Sequence, residues 1–118
     1  MPDYMLLLHE STTAGAGLSP AEIMETINRY KAWAGKLAEA GKLRGGEKLC
    51  DDKGRVMTKR GAQVSAKDGP YSEVAEVIGG YFIINAADYA EAERLSSDCP
   101  HLDFGNAIEL REVEPTSD

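Results

Sequence analysis

Two segments of the chain are apolar at nearly every position, and this pattern predicts buried central strands. The strands Tyr4–His9 and Gly79–Asn85 each contain an unbroken apolar run, and a strand of this kind needs a cover on both of its faces. The segment Asn106–Val113 instead alternates between apolar and charged residues, as a half-exposed strand does. The segment Leu43–Leu49 is polar and rich in glycine. We therefore place the first two strands in the middle of one sheet and the other two at its edges.

A long helix is predicted between the first two strands of the chain. Ser19 has the properties of an N-cap, Pro20 those of a first helical residue, and Glu22 completes a capping box. Gly41 is placed to end the helix. The apolar stripe at helical spacing consists of Ile23, Ile27, Tyr30, Ala34 and Leu37. Trp33 lies off this stripe, where it could widen the apolar surface toward a partner, but a Trp on a long helix is most often an edge of the core, and we interpret it so.

A second, shorter helix and a small hairpin complete the predicted elements. Asp88 and Glu91 form a capping pair at the start of the second helix, and Cys99-Pro100 stops it. Between the second and third strands, the segments Arg55–Lys59 and Ala62–Ala66 form a possible hairpin that turns at Arg60-Gly61.

The order of these elements predicts an α+β fold. Strand, helix and strand occur twice, with the hairpin inserted between the two units, and this order favours a ferredoxin-like β-α-β-β-α-β sandwich with strand order 4-1-3-2. Two helices cover only one face of a four-stranded sheet. We expect the other face to be covered by a second copy of the chain, which gives a homodimer packed sheet to sheet.

Length and composition are those of an ordinary globular domain. The chain has 118 residues, of which 42% are hydrophobic and 28% charged, so we expect one domain over residues 1–118 with a polar tail at 114–118. An apolar run of membrane-spanning length is missing, as is a secretory signal, and only two cysteines are present. We therefore expect a cytoplasmic protein with free thiols, no membrane partner and no disulfide framework.

The charge is distributed unevenly along the chain. Residues 1–60 contain 10 Lys and Arg against 8 Asp and Glu, whereas residues 61–118 contain 3 against 12. The most basic stretch, from Lys42 to Arg60, is interrupted by acidic residues and contains no aromatic side chain. A nucleic-acid partner is therefore not expected.

Four blocks of the sequence resemble one known family. Asp68-Gly69-Pro70-Tyr71-Ser72-Glu73 followed by Glu76-Val77-Ile78-Gly79-Gly80-Tyr81-Phe82 resembles the signature of the YCII-related proteins called the DGPF group. Tyr4-Met5-Leu6-Leu7 resembles the opening strand of that group. The second strand of the group is matched by Gly45-Gly46-Glu47 with Leu49, and its end by Cys99-Pro100 with Ile108-Glu109-Leu110-Arg111. Tyr71 stands where the group usually has Phe.

The resemblance implies a fold and an assembly but no reaction. Members of the group are similar to ferredoxin-like domains that dimerise as an α/β-barrel, and relatives in the wider superfamily include small monooxygenases, isomerases and haem-binding proteins. Membership of this superfamily is therefore weak evidence for any particular function. An association of the group with sigma-factor regulation suggests a regulatory protein partner.

The predicted topology brings chemically useful residues to one edge of the sheet. The first strand ends where the third and fourth strands begin, so this edge collects His9, the loop after Asp68 and the loop at His101. A histidine beside a carboxylate is an acid–base pair that works near neutral pH. The candidate catalytic residues are His9, Asp68, Glu73 and His101.

Ligand contacts are expected along the same edge, and each candidate also has a structural interpretation. The expected contact residues are Glu47, Gly69, Pro70, Tyr71, Gly79, Gly80 and Tyr81. Asp68-Gly69-Pro70 is equally typical of a turn, and either histidine can be a hydrogen-bonded structural residue. The glycine pairs can form a bulge or let a neighbouring backbone approach.

Two functions remain open at this point. No spacing of histidines indicates a metal site, and neither a metal nor another cofactor is expected. One hypothesis is a small enzyme that uses a histidine and a carboxylate for proton transfer on a small organic ligand in a pocket at this edge. The other is a non-catalytic module that binds a ligand or a regulatory protein through its acidic half.

Overall fold

The fold is described by a computed structural model of the chain. The structure describes residues 1–13, 17–52, 54–69 and 76–116. Within these residues the strands are β1 (Asp3–Ser11), β2 (Leu43–Lys48), β3 (Arg55–Arg60), β4 (Gln63–Asp68), β5 (Glu76–Asn85) and β6 (Ile108–Glu112). The helices are α1 (Pro20–Glu39), α2 (Tyr89–Ser96) and α3 (Pro100–Asp103).

Four of the strands form one antiparallel sheet in the order β2-β5-β1-β6. The two apolar strands β1 and β5 lie in the middle and pair with Leu6 opposite Phe82. On the other side of β1, strand β6 pairs with Leu110 opposite Leu6. This order confirms the predicted placement of central and edge strands, and it is the order of a ferredoxin-like sheet. At one edge of the sheet, which we call the rim, β1 ends and β5 and β6 begin.

The hydrophobic core lies between this sheet and the helices. Tyr4, Leu6 and Leu8 of β1 are buried on the same face as Ile84 of β5, because alternate residues of a strand share a face. From the helices, the core receives Trp33, Leu37, Ala92 and, just before α3, Cys99.

The opposite face of the sheet carries the other residues of the same strands. By alternation it presents Met5 and Leu7 of β1, which pair with Ile83 and Tyr81 of β5, and all four are half-buried. We call this surface the open face. In the part of the chain that the structure describes, the core-forming helices pack against the other face only. An apolar strip in the middle of the sheet therefore lies outside the core.

The start of α1 confirms the predicted cap, whereas its buried stripe differs from the prediction. Ser19 accepts a hydrogen bond from the backbone N–H of Glu22, and Glu22 accepts one from the N–H of Ser19. Trp33 is only 4% exposed and stands at the centre of the helix–sheet contact, whereas Ile23 is 43% exposed. The prediction that Trp33 is an edge residue was wrong, because its indole packs edge-on against Phe82 of the sheet and donates to Asp98.

The segment after β5 differs from the prediction in one respect. Asp88 caps α2 as predicted, by accepting from the N–H of Glu91. Pro100 does not merely stop this region but begins the short helix α3, since proline suits a first helical position. Asp103 of α3 forms an ion pair with Arg29 of α1 at 2.6 Å, which joins the two helices at the rim.

Glycines in β2 and β5 permit close contacts within the sheet. A β-carbon at Gly80 would stand 2.9 Å from the carbonyl oxygen of Glu47 on β2. At Gly79, where the β1–β5 register shifts, a β-carbon would collide with the carboxylate of Glu10. These contacts agree with the interpretation of the glycine pairs as bulge and close-approach positions.

Strands β3 and β4 form a separate two-stranded sheet, which we call the hairpin arm (residues 54–69). The arm begins after β2 and returns toward β5, so both of its ends are connected to the rim. Its two strands pair from Arg55↔Asp68 to Arg60↔Gln63. The turn is therefore formed by Gly61 and Ala62, with Gly61 at φ +59°, and not by Arg60-Gly61.

Candidate functional site

A histidine and a glutamate form a close pair on the open face at the rim. The Nε2 atom of His9 lies 2.8 Å from Oε1 of Glu109, and the two side chains are 27% and 45% exposed. Both residues lie on the face opposite the core, since Leu7 pairs directly with Glu109 and His9 is two residues further along β1. This arrangement is an imidazole–carboxylate pair that solvent and small solutes can reach.

The pair defines which nitrogen of His9 is available for chemistry. With the Glu109 carboxylate accepting the proton of Nε2, the remaining nitrogen Nδ1 has no hydrogen-bond partner among the described residues. In this tautomer Nδ1 carries the lone pair, so it is the nitrogen that can act as a hydrogen-bond acceptor or a base toward a ligand.

On the other side of the sheet, His101 holds the backbone of His9. His101 is 2% exposed, and its Nε2–H donates to the carbonyl oxygen of His9 at 2.7 Å. Since a carbonyl only accepts, Nδ1 of neutral His101 accepts from the hydroxyl of Tyr30 at 2.8 Å. This agrees with the interpretation of His101 as a hydrogen-bonded structural residue.

Burial keeps two further groups near His101 in their neutral forms. The pKa of Tyr30 is raised far above its ordinary value, mainly by burial and further by the neighbouring Cys99 and Glu10. Burial also raises the pKa of the Cys99 thiol to about 11. At neutral pH Tyr30 therefore keeps its proton and donates a hydrogen bond to His101, and Cys99 is a packed thiol and not a nucleophile.

The sequence-predicted catalytic residues are not all brought together. His9 lies on the open face, whereas the ring of His101 lies in the core, and only the His9 carbonyl connects them. Asp68 lies at the base of the hairpin arm, where it forms an ion pair with Arg55 at 3.6 Å, and it contacts neither histidine. The prediction of Asp68 as the carboxylate partner of a histidine is therefore not supported, because the arm carries Asp68 away from the sheet. Glu73 lies outside the described residues.

The residues expected to contact a ligand also lie in different parts of the structure. Tyr81 and Glu47 face each other across β5 and β2 on the open face. Gly79 and Gly80 instead accommodate Glu10 and the β2 backbone, and Gly69 is buried at the base of the arm, with its N–H donating to the carbonyl of Gly54. Pro70 and Tyr71 lie outside the described residues.

The carboxylate that His9 does contact was missed by the sequence analysis as a site residue. The alternation of the last strand had placed Glu109 on the face opposite Ile108 and Leu110. The signal was therefore present, but joining Glu109 to His9 requires the register between β1 and β6.

Two surface cavities lie away from this pair. One, of about 250 Å³, is lined by Asp52, Gly54, Arg55 and Asp68 at the base of the hairpin arm. The other, of about 640 Å³, lies at the opposite edge of the sheet, between the chain start and the end of β6, and is lined in part by Arg44 and Asn85. Neither of these two cavities includes His9 or Glu109.

Within the described residues, no group of histidine, cysteine and acidic side chains is arranged to hold a metal ion. None of the described helices combines the length and apolar character needed to cross a membrane.

The antiparallel sheet with helices packed on one face defines an α+β domain that is compatible with a ferredoxin-like fold. The chain belongs to the YCII-related domain family, whose sequence model matches residues 3–117. A search of curated proteins finds no match.

Proposed function

We propose that the protein binds a small organic ligand on the open face at the rim and transfers a proton to or from it through His9. The observation that carries this proposal is the 2.8 Å contact between His9 and Glu109 at a place that solvent reaches. Glu109 orients the imidazole by accepting a hydrogen bond from its Nε2–H, and Nδ1 exchanges the proton with the ligand. His101 acts as a positioning residue through the carbonyl of His9.

The surroundings of the pair fit a small organic molecule. Leu7 and Tyr81 pair directly on the same face and offer an apolar surface for a carbon framework. Glu47, which faces Tyr81 from β2, adds a second polar group. Ligand sites commonly combine an apolar lining with a few polar groups of this kind.

The site of a single chain is open, and we propose that a second copy closes it. The apolar strip of Met5, Leu7, Tyr81 and Ile83 is half-buried in one chain, and the same strip on another copy is its simplest cover. Exclusion of water between the two sheets would strengthen the interaction of His9 with Glu109 and with a ligand.

A ligand screen followed by an exchange measurement tests the proposal. The probes are small carboxylic acids, phenols and lactones at about 1 mM, and binding is detected as a rise in the melting temperature. For compounds that bind, exchange of an acidic C–H for deuterium in D₂O is followed by NMR. We expect exchange with the unmodified protein and a loss of at least about 100-fold in His9→Ala and Glu109→Gln.

The matched control is Glu93→Gln, which removes an exposed carboxylate of α2 away from the pair and should leave exchange unchanged. His9→Ala retains the carbonyl that accepts from His101, so it removes only the imidazole. Exchange at the unmodified rate in both site variants would contradict proton transfer by this pair. Binding without exchange would leave only the ligand-binding part of the proposal, and a panel without any binding compound would contradict both parts.

A further inference from the structure

Among the described residues, the hairpin arm forms no substantial contact with the four-stranded sheet or the helices. Val56 is half-buried, and every other residue of β3 and β4 is exposed. An isolated hairpin of this kind is marginally stable in water, and it normally requires a further surface to pack against.

One face of the arm has the composition of a contact surface. Residues directly opposite each other in the pair share a face, so Met57 lies beside Ala66, and Val64 lies beside Lys59 on the same side. Met57 and Val64 are 66% and 54% exposed. The other face carries the half-buried Val56 and the hydroxyls of Thr58 and Ser65, which are 3.1 Å apart, together with Arg60, Gln63 and Lys67. The face of Met57, Val64 and Ala66 thus exposes more apolar surface than the other face does, and it also bears Lys59 and, at the base, the Arg55–Asp68 pair.

The charge of the arm is opposite to that of the rest of the chain. Residues 54–69 contain four basic side chains and one acidic one, so the arm carries +3. Since the whole chain carries −7, the remainder carries −10. Within the described residues, the only ion pair of the arm is internal, between Arg55 and Asp68, and Lys59, Arg60 and Lys67 pair with nothing.

We infer that the hairpin arm docks on a second copy of this chain, with its Met57–Val64–Ala66 face packed against that copy and Lys59 of the same face beside acidic side chains of the copy. A second copy supplies the opposite charge, and two-fold symmetry buries both arms by the same contact. The inference rests on the two-copy assembly proposed above, but it does not depend on proton transfer by His9.

Two substitutions at adjacent positions of β3 test the inference. Met57→Asp puts a carboxylate on the face of Met57, Val64 and Ala66, and Thr58→Asp puts the same charge on the opposite face. We expect the unmodified protein to sediment at twice 12.8 kDa. Met57→Asp should weaken self-association at least about 10-fold, because burying an unpaired charge in the contact is costly. Thr58→Asp should stay within about 3-fold of the unmodified protein, because its charge stays in solvent.

A third variant and the salt concentration complete the test. Val64→Asp, on the other strand of the same face, should behave as Met57→Asp does. Self-association of the unmodified protein should weaken as salt rises from about 0.05 to 0.5 M, because the charges across the contact are opposite. Circular dichroism melting of each variant checks that the four-stranded sheet is retained, as expected for substitutions outside the core.

Each result has a defined meaning. A dimer in all three variants would overturn docking through the arm while leaving the pairing of open faces intact. A monomeric unmodified protein at about 100 µM would overturn both, since an affinity that weak corresponds to little specific contact. Because the arm variants leave His9 and Glu109 unchanged, the deuterium-exchange measurement above reports separately on proton transfer.

Discussion

The buried contact between Tyr30 and His101 connects a helix residue to the backbone of the site residue His9. The hydroxyl of Tyr30 donates a hydrogen bond to Nδ1 of His101, and Nε2–H of His101 donates one to the carbonyl oxygen of His9. A buried polar atom without a partner costs free energy. This short series of hydrogen bonds therefore stabilises the rim and determines where His9 stands.

Removal of the Tyr30 hydroxyl should destabilise the fold. In Tyr30→Phe, Nδ1 of the buried His101 loses its donor, so we expect the free energy of unfolding to fall by about 1–3 kcal/mol. Urea denaturation followed by circular dichroism measures this change. The control is Tyr81→Phe, since the Tyr81 hydroxyl has no hydrogen-bond partner among the described residues, and its effect should be within about 0.5 kcal/mol. Equal stability of Tyr30→Phe and the unmodified protein would contradict a stabilising hydrogen bond between Tyr30 and His101.

At this scale the sequence predicted residue types better than partners. A histidine beside a carboxylate at the rim was expected, and His9 has such a partner, but Asp68 and Glu73 were the favoured carboxylates and Glu109 was not among them. The choice depends on which strands are adjacent and in which register, and a single sequence does not contain that information for strands far apart in the chain.

At the scale of elements, the central strand β5 depends on glycine to pair closely with β2. A β-carbon at Gly80 would stand 2.9 Å from the carbonyl oxygen of Glu47 and 3.4 Å from the α-carbon of Lys48. Both of these atoms belong to the backbone, so they cannot move aside without shifting the edge strand.

Gly80→Ala should therefore lower the free energy of unfolding by about 1–3 kcal/mol. The same substitution at Gly35 in α1 is the control, because a β-carbon there meets no atom within 4 Å. Gly35→Ala should raise stability by about 0.5–1 kcal/mol, since alanine favours the helix. Chemical denaturation of both variants measures the opposite signs. A Gly80→Ala protein as stable as the unmodified one would show that β2 shifts without cost.

Most elements followed from local patterns. The capping box at Ser19 and the apolar runs of β1 and β5 predicted their helix and strands, because these signals depend on near neighbours in the chain. Predictions from near neighbours in the chain were wrong where contacts between distant residues determine the structure. Trp33 became a central core residue because Phe82 and Asp98 receive its indole, and the hairpin turn moved by one residue to Gly61-Ala62.

At the scale of the whole molecule, the free energy of unfolding should vary with pH in the alkaline range because of a buried thiol. The pKa of Cys99 is about 11 in the folded chain, against an ordinary value of 9.0. Above about pH 9 the unfolded chain loses this proton while the folded chain retains it, so rising pH favours unfolding. Below pH 9 both forms hold the proton and the thiol contributes no pH dependence.

We expect the free energy of unfolding to fall by up to about 1 kcal/mol per pH unit between about pH 9 and 11. Urea unfolding at about pH 8, 9 and 10 measures the slope. Cys99→Ala should be less stable at pH 8, because it leaves a cavity, but it should lose less stability between pH 8 and 10 than the unmodified protein does. Equal slopes in the two proteins would contradict the raised pKa of Cys99. Tyr30, whose pKa is also raised, adds to the decline only above about pH 10.

How copies of the chain assemble depends on contacts between copies and not within one chain. The apolar central strands predicted a sheet with one face outside the core, and the described residues contain such a face. The pairing of two such faces remains our proposal, because shape and charge matching between copies are not encoded in local patterns.

The backbone contact between Gly54 and Gly69 has a practical consequence. The N–H of Gly69 donates to the carbonyl of Gly54 at 3.2 Å, so the two ends of the arm meet at its base. A segment whose ends meet can change in length without moving the strands that flank it. The tip at Gly61-Ala62 is accordingly a suitable place to insert an epitope tag or a fluorophore-labelling sequence, which would report on the arm from within an otherwise intact fold.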